Sequence, residues 1–391
     1  MSGLGLIQSL PDGPLDIIGD VHGELAALER LLGHLRLRAK GEHRHLVFVG
    51  DLVDRGPDSP GVVRLVAQLV AEGRASCVLG NHELNLLRAV RYPKRDNSWF
   101  RGETRTFDGT SEIPERRLGH VNYPKDRGRP ALEPSHYELL HFVASLPLAL
   151  EREDIRVVHA AWDDQHIADL RNIQHDPVAD IESIFGDRDA TPLGALSMHE
   201  HALAKNFREL KQRGIADAAL ADIKRMDRDF PISVANTDGV HRVPEHSEPI
   251  MQRELLYQNQ NPVRVITSGF ESPSERIFVA GGKWRFTKRD PWWQDYQGDA
   301  HVVMGHYWRS PTGQVKEPGL LTPPNPFADQ PALGPLRSET GPNRVWCIDF
   351  SIGRRYLERH KNKPAAGRLA ALRWPERELV FDTGERHAGL S

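Results

Sequence analysis

The chain has 391 residues, which exceeds a typical domain, so it can bury a large core and still carry an inserted subdomain. Its 51 Lys and Arg against 54 Asp and Glu give a net charge of -3, which provides no long-range field to attract duplex nucleic acid. At the N-terminus no basic stretch precedes an apolar one. No stretch of the sequence approaches twenty consecutive apolar residues. We therefore expect no membrane segment and a cytoplasmic location.

Short apolar runs alternate with amphipathic stretches through the first 160 residues, the pattern of a sheet with crossover helices. The stretches 24–38 and 60–73 place apolar residues three and four apart and predict helices. Four apolar runs that stop at Gly and a polar residue, or at His-Ala, predict buried strands: LDIIGD (15–20), HLVFVGD (45–51), ASCVLGN (75–81) and IRVVHA (155–160).

The middle of the chain has a different character. Residues 91–130 are rich in Arg, Lys, Gly and Pro and predict a long ordered loop region, followed by a helix near 135–145. Residues 165–265 are polar with helical periodicity and predict an inserted, mostly helical cap.

Strand signals return after the cap, at 276–281, 301–306, 344–350, 367–374 and 378–381, with a Pro-rich loop at 310–343. Late strands must complete the core that early strands begin, so segments 14–164 and 266–385 are predicted to form one domain. Cys77 and Cys347 lie in apolar runs and are predicted to be buried thiols of a reducing compartment.

Residues that bind metal ions follow five of the predicted strands. The spacing from Asp20 to Asp51 is 31 residues and from Asp51 to Asn81 is 30, close to one strand-helix-strand unit, which places these strand ends side by side. Carboxylate and imidazole groups suit hard divalent ions, so the pattern predicts a shared metal site. The motifs are Gly-Asp20-Val-His22-Gly, Gly-Asp51-Leu-Val-Asp54-Arg55-Gly, Gly-Asn81-His82-Glu83, His159 in VVHAAW, and Gly-His306.

Each motif alone has an ordinary structural explanation. Gly-Asp after a strand is more often a turn or a helix cap, and a lone Gly-His is a weak signal. Gly-Asn-His-Glu is more specific because turn chemistry needs fewer polar residues than it provides. All five motifs occur in chain order at strand ends, and this combination favours the functional interpretation.

The motifs GDVHG, GDLVDRG and GNHE resemble the three N-terminal blocks of the calcineurin-like metallophosphoesterases. The resemblance is to the phosphoprotein phosphatase branch, the PPP-type serine/threonine phosphatases, with its diadenosine tetraphosphatase relatives. His159 and VVMGH resemble the two later histidine blocks, and the similarity covers 14–162 and 276–382. It implies an α/β fold of four layers, in which two mixed sheets are flanked by helices, here with an inserted helical cap.

The resemblance also implies two divalent metal ions, with manganese expected and iron or zinc also suited to the ligands. Asp20 and His22 would bind the first ion, Asp51 would bridge both, and the second would be completed by Asn81, His159 and His306. A metal-bridging hydroxide would attack the phosphate in line. His82 would act as general acid oriented by Asp54, and Arg55 would bind phosphate oxygens.

The sequence leaves the substrate open between a phosphorylated small molecule, a nucleotide and a phosphoprotein. Asp54 and Glu83 favour a phosphatase, whereas the GHYW ending resembles that of symmetrical diadenosine tetraphosphatases. Trp308 stands where nuclease-like relatives have a further His, which disfavours a DNA nuclease. A catalytically inactive metal-binding regulatory module is disfavoured because His82, Asp54 and Arg55 are all present.

Three further groups of residues can each be interpreted in two ways. The family leads us to expect a second phosphate-binding arginine, for which Arg285 and Arg309 are candidates. Trp284, Trp292 and Trp293 either stack on a substrate base or pack in the core. The basic residues between Arg88 and Arg105 either bind additional phosphates or form a solvated loop.

Overall fold

The computed structural model of the chain describes residues 4–36, 44–91, 97–103, 106–107, 111–112, 115–123, 130–175, 194–232, 243–280, 282–310, 312 and 323–390. No helix within these segments is long and apolar enough to cross a membrane. Cys77 and Cys347 are both buried free thiols, as predicted.

The first large sheet contains three of the predicted N-terminal strands. Leu15–Ile18, His45–Phe48 and Ala75–Cys77 are parallel neighbours, joined through helices Leu25–Arg36 and Ser59–Ala71. Antiparallel strands from the C-terminal part of the chain extend this sheet beyond Leu15–Ile18. In order from that strand they are Ala370–Trp374, Glu378–Phe381 and Arg386–His387.

The second large sheet also mixes strands from both ends of the chain. Its neighbours are parallel except for Ala149–Glu151, which is antiparallel to Ile155–Val158. Two of its strands, Ala149–Glu151 and Ile7–Ser9, were not predicted. The order is Val345–Cys347, His301–Met304, Ile155–Val158, Ala149–Glu151 and Ile7–Ser9.

The two sheets pack face to face because successive residues of a strand point to opposite faces. Ile17 lies in the core between the sheets, together with Val157 and Val303. Its neighbour Ile18 points the other way, into the core that the first sheet shares with its helices. Two mixed sheets flanked by helices confirm the predicted fold class.

The helices lie outside the sheets and in the inserted span. Pro134–Ser145 confirms the helix predicted near 135–145. Short 3₁₀ helices occur at Trp292–Gln294 and Ile352–Arg354. The α-helices of the described residues are Leu25–Arg36, Ser59–Ala71, Asn81–Arg91, Ser98–Arg101, Pro134–Ser145, Asp164–Arg171, Ala195–Gln212, Ile215–Asp229, Glu248–Asn259, Pro262–Ser268 and Arg355–His360.

One predicted strand forms but does not join the main sheets. The described part of the segment predicted at 276–281, residues 276–280, lies in strand Glu271–Ala280. This strand pairs with Lys283–Arg289 as a separate antiparallel hairpin. Trp284 of this hairpin is buried in a small core with helix residues Ala219 and Met226. The hairpin therefore packs with the helices of the inserted span, because its apolar face meets theirs and not the large sheets.

Two shorter strand pairs complete the described elements. Leu4–Gly5 pairs with Gln174–His175, and Thr106–Phe107 pairs with Ser111–Glu112. Much of the region predicted as an ordered loop at 91–130 lies outside the described residues. The described part of the Pro-rich stretch, 323–343, contains neither helix nor strand, as predicted.

Candidate metal centre

The predicted metal ligands lie at the carboxyl ends of strands in both sheets. Asp20 and Asp51 follow strands Leu15–Ile18 and His45–Phe48 of the first sheet, and Asn81 begins the helix after Ala75–Cys77. His159 directly follows strand Ile155–Val158 of the second sheet. His306 follows strand His301–Met304 of the same sheet, with Gly305 between them. Strand ends of two packed sheets thus converge on one place.

Two compact groups of ligand atoms share Asp51. His22, Asp51 and His82 form one group and Asp51, His159 and His306 the other, with the ligand atoms of each group within 4.8 Å of one another. The Asp51 Oδ2 atom lies 3.7 Å from His22 Nε2, and its Oδ1 atom lies 3.2 Å from His159 Nε2. The two oxygens of one carboxylate therefore face different groups, the geometry that a bridging ligand requires.

Asn81 joins the second group through its side-chain oxygen. The Oδ1 atom lies 3.2 Å from His159 Nε2 and 2.8 Å from His306 Nδ1. Asp51, Asn81, His159 and His306 therefore meet as the sequence predicted for the second ion.

Asp20 lies at the edge of the first group. One of its oxygens is 3.8 Å from His22 Nε2, and the two oxygens each accept a hydrogen bond from the His306 backbone N–H at 3.2 Å. The backbone contact ties the end of strand Leu15–Ile18 in the first sheet to the end of strand His301–Met304 in the second. Gly305 makes this approach possible, because a Cβ there would lie 1.9 Å from Asp20 Oδ1.

Backbone carbonyls orient two of the imidazole rings. His22 Nδ1 donates to the Val53 carbonyl at 3.1 Å, and His159 Nδ1 donates to the Val49 carbonyl at 2.7 Å. Each contact fixes the ring and directs Nε2 to the shared carboxylate, as outer contacts of metal-binding histidines usually do.

The charges of the site suit bound cations. Burial and the Arg55 charge hold the pKa of His22 well below its usual value, so this ring keeps a free lone pair. Burial and the Asp349 charge raise the pKa of Asp20 well above its usual value, because buried carboxylates repel one another. Two carboxylates, three imidazoles and an amide oxygen in one buried cluster fit a pair of divalent ions.

His159 differs from the other two ligand histidines. Burial lowers its pKa, but the charge and hydrogen bond of Asp51 and the charge of Asp20 outweigh burial and raise the pKa to about 10. In the metal-free protein His159 is therefore protonated at neutral pH and compensates part of the carboxylate charge.

Asp54 and Arg55 lie beside His82 as predicted. His82 Nδ1 donates to Asp54 Oδ2 at 2.6 Å. Burial lowers the pKa of His82, but the Asp51 charge and the Asp54 hydrogen bond raise it above the usual value for histidine. The arrangement is a carboxylate-imidazole pair at the mouth of the site, with the His82 side chain 17% exposed.

The Arg55 guanidinium links both histidines of the first group. It donates to His22 Nε2 at 3.1 Å and to His82 Nε2 at 3.2 Å, and it stacks on the half-exposed Trp308 ring at 4.6 Å from the centroid. Nε2 would bind an ion in His22 and would carry the acid proton in His82, so both roles require Arg55 to release that nitrogen.

Left-handed backbone is concentrated at these strand ends. Five of the residues with positive φ and a side chain lie in the site. Such conformations are unfavourable for residues with a Cβ and persist where surrounding contacts hold them. They are His22, Asp51, Asp54, Arg55 and His306.

Glu83 has a role that the sequence analysis missed. It is fully buried, and its carboxylate accepts hydrogen bonds from the backbone N–H groups of Asp51 and Leu52 at 2.8 Å, of Gly80 at 3.0 Å and of Val53 at 3.2 Å. Glu83 therefore shapes the turn that presents Asp51. Its place directly after Asn81 and His82 was the available signal.

Three other residues near the site were also missed. Trp99 and Asn97 donate hydrogen bonds to Asp54. Asp349 is buried, and burial raises its pKa to about 6. Its Oδ2 atom has no hydrogen-bond partner among the described residues, while its charge acts on Asp20.

The candidates for a second phosphate-binding arginine lie elsewhere. Arg285 pairs with Glu271 at 2.7 Å, and Arg309 is buried and donates to three backbone carbonyls. The exposed Arg289 instead lies beside the site, since it donates to the His306 carbonyl at 3.1 Å and its charge contributes to the lowered pKa of His306.

Most of the other residues to which the sequence analysis gave two interpretations have structural roles. Trp284, Trp292 and Trp293 are buried, which favours the core interpretation. Arg88 pairs with Glu200 of helix Ala195–Gln212 at 3.0 Å. The side chains of Arg91, Lys94, Arg95 and Arg105 lie outside the described residues.

Comparisons with known proteins agree with the sequence motifs and the geometry. Residues 13–202 match the family model of the calcineurin-like phosphoesterases. The chain contains a calcineurin-like phosphoesterase domain. The predicted resemblance is thereby confirmed.

Two curated proteins share parts of this domain. The symmetrical bis(5'-nucleosyl)-tetraphosphatase of Ralstonia nicotianae is 49% identical over 147 residues, which are 38% of this chain and 41% of that protein. The asymmetrical bis(5'-nucleosyl)-tetraphosphatase PrpE of Oceanobacillus iheyensis is 50% identical over 80 residues, 19% of this chain and 32% of that protein. The chain thus spans well under half of the length of these relatives.

Several solved structures align over nearly the whole chain. A cold-active protein-tyrosine phosphatase of a Shewanella species covers 97% of this chain and 83% of its own, with 15% sequence identity and a TM-score of 0.41.

Replacing Glu83 by Gln should destabilise the protein and weaken metal binding. The carboxylate of Glu83 accepts hydrogen bonds through both oxygens, whereas the Gln amide has only one oxygen and turns its NH₂ group towards backbone N–H groups. Some of these buried backbone donors would then lack an acceptor. We expect the free energy of unfolding to fall by about 3 kcal/mol in chemical denaturation. Glu72→Gln, an exposed change, is the control and should leave the denaturation midpoint unchanged. Equal stability of Glu83→Gln and wild type would contradict the structural role of Glu83.

Proposed function

We propose that this protein is a dinuclear metal-dependent phosphoester hydrolase, a phosphatase. The observation that carries the proposal is that Asp51 is shared by two groups of ligand atoms beside the His82-Asp54 pair. Ligands alone would suit a binding protein, but a proton donor and a phosphate-binding arginine at the same place suit a catalyst.

The residues divide into two sets that would hold the ions. Asp20, His22 and Asp51 would hold the first ion, and Asp51 would hold the second together with Asn81, His159 and His306. When bound, two divalent ions lower the pKa of a water between them and supply the hydroxide for in-line attack on phosphate. Manganese is the expected metal, although this donor set also suits iron and zinc.

His82 would protonate the leaving oxygen. Asp54 holds Nδ1, so Nε2 is the nitrogen that faces the site, 3.9 Å from Asp51 Oδ2. The Asp54 contact favours the protonated ring, as a general acid requires.

Arg55 and Arg289 would bind the phosphate oxygens. Arg55 lies against the first group and Arg289 against His306 of the second, so the two guanidinium groups approach from different sides. Planar guanidinium groups match phosphate oxygens with paired hydrogen bonds. Trp308 supports Arg55 by stacking on it.

The insertion would limit access to the site. We place residues 165–265 outside a catalytic domain formed by 14–164 and 266–385. The hairpin Glu271–Arg289, at the start of the second segment, packs against the insertion and shares a core with it. The hairpin ends at Arg289, which contacts His306, so the insertion reaches the edge of the site.

A nucleotide polyphosphate hydrolase of the symmetrical diadenosine tetraphosphatase type is the second candidate. Trp308 favours it, since an aromatic ring 40% exposed next to Arg55 offers a stacking surface for a base beside a phosphate-binding group. The matched relatives named as bis(5'-nucleosyl)-tetraphosphatases favour it as well. A phosphorylated small molecule or phosphoprotein suits the first candidate. An inactive regulatory module is the least favoured function, because the His82-Asp54 pair is intact.

The activity test uses p-nitrophenyl phosphate, a phosphopeptide and diadenosine tetraphosphate after chelation and return of manganese. We expect manganese to restore phosphate release in the wild type and Asp51→Asn to lower it by at least about a hundredfold, because both ions lose their shared carboxylate. Asp163→Asn, which removes a carboxylate outside the ligand groups, is the matched control and should retain activity. Preference for the tetraphosphate would select the second candidate, and no release from any substrate would contradict both.

Metal binding should release protons. His159 has a pKa of about 10 in the metal-free protein and must lose its proton to bind an ion, so metal affinity should rise with pH by up to about tenfold per unit for each proton released. Calorimetric titration with Mn²⁺ at neutral pH, in buffers of different ionisation enthalpy, counts these protons. We expect at least about one, and fewer in His159→Gln.

The control for proton release is His166→Gln, which changes a histidine that pairs with Asp163 outside the ligand groups. It should release as many protons as the wild type. If the measured enthalpy of Mn²⁺ binding were the same in every buffer, no proton would be released, which would contradict a protonated His159.

A further inference from the structure

The Asp54 carboxylate is held from two sides. Its Oδ2 atom accepts the 2.6 Å hydrogen bond from His82 Nδ1. Its Oδ1 atom accepts a bond from the Trp99 indole Nε1 at 2.6 Å, and Asn97 Nδ2 donates to Oδ1 at 3.1 Å and to Oδ2 at 3.4 Å. The carboxylate thus connects the histidine to a segment that contributes no metal ligand.

The two donors are anchored in the protein interior. Trp99 and Asn97 are each 2% exposed, and Trp99 belongs to the main hydrophobic core. The Trp99 ring meets the edge of Phe100 at 5.9 Å, and its backbone carbonyl accepts a hydrogen bond from the Leu118 N–H at 2.8 Å. Both donors therefore have fixed positions, unlike a water molecule or a surface side chain.

Asp54 needs such support. Its backbone is left-handed, with φ of 69°, and its side chain is 14% exposed, so its own turn does not enclose the carboxylate. With Oδ1 held by Trp99 and Asn97, rotation that would move Oδ2 away from His82 breaks strong hydrogen bonds to a charged acceptor. The orientation of His82 therefore depends on contacts made 43 and 45 residues further along the chain.

We propose that Trp99 and Asn97 are positioning residues that act through Asp54 on His82. They hold the imidazole so that Nε2 faces the leaving group. In the step they serve, hydroxide derived from water forms a bond to phosphorus, the bond from phosphorus to the ester oxygen breaks, and the Nε2 proton passes to that oxygen. A second water then returns a proton to the ring and leaves a new hydroxide. This inference rests on the proposed function and adds the residues that keep its acid in place.

The test compares leaving groups in the full-length, manganese-loaded protein. Phenyl phosphate needs protonation of its leaving oxygen, whereas p-nitrophenyl phosphate expels a stable anion and needs little. Trp99→Phe retains the ring but removes the N–H, and Asn97→Ala removes the other donor. For each variant we expect kcat with phenyl phosphate to fall about tenfold and kcat with p-nitrophenyl phosphate to fall less than about threefold, with little change in KM.

The matched control is Trp374→Phe. It removes an indole hydrogen bond of the same length, 2.6 Å, from Trp374 Nε1 to Asp154 Oδ2, outside the metal centre. Its ratio of the two kcat values should equal that of the wild type. Any general effect of losing a buried indole N–H would appear in this variant too.

Equal losses with both substrates in Trp99→Phe and Asn97→Ala would overturn the positioning role and leave these residues a purely structural one. Should Trp99→Phe fail to fold, the ratio measured for Asn97→Ala decides alone. An inactive wild type would refute the proposed function itself, whereas an active wild type with unchanged ratios in the variants would refute only this inference.

Discussion

The buried carboxylate of Glu83 is the contact on which the metal centre depends. It accepts hydrogen bonds from the backbone N–H groups of Asp51, Leu52 and Val53 and from that of Gly80. It therefore links the ends of two neighbouring strands. These N–H groups would otherwise be buried without partners, since the turn makes no ladder bonds of its own. The position of Asp51 follows from this turn, and both ligand groups follow from Asp51.

Electrostatic repulsion between buried carboxylates is a second constraint on the site. Asp20, Asp51 and Asp349 are all buried, and their charges oppose one another. Protonated His159 and the Arg55 guanidinium supply the nearby positive charge that the structure shows. Divalent ions held by these residues would supply the positive charge that the buried carboxylates require.

The candidate ligands were found from local patterns: Asp20, Asp51, Asn81 and His306 each follow an apolar run and a glycine, and His159 directly follows an apolar run. Glu83, Asn97 and Trp99 were missed because their partners are distant: Glu83 bonds to residues 30 to 32 positions away, and Trp99 to one 45 away. A strand was predicted at 276–281, but its partner Lys283–Arg289 and their separation from the two large sheets were not. Alternating apolar residues indicate a half-buried strand, and they do not indicate which apolar surface covers it.

The site also joins the two sheets. Asp20 belongs to the first sheet, yet its carboxylate accepts the backbone N–H of His306, which follows a strand of the second. His159 of the second sheet donates to the Val49 carbonyl of the first. Residues proposed to hold the two ions therefore form hydrogen bonds across the sheet interface, next to the apolar core between the sheets. A shift of one sheet against the other would move ligands of both groups at once, so the packing of this core controls the geometry of the metal centre.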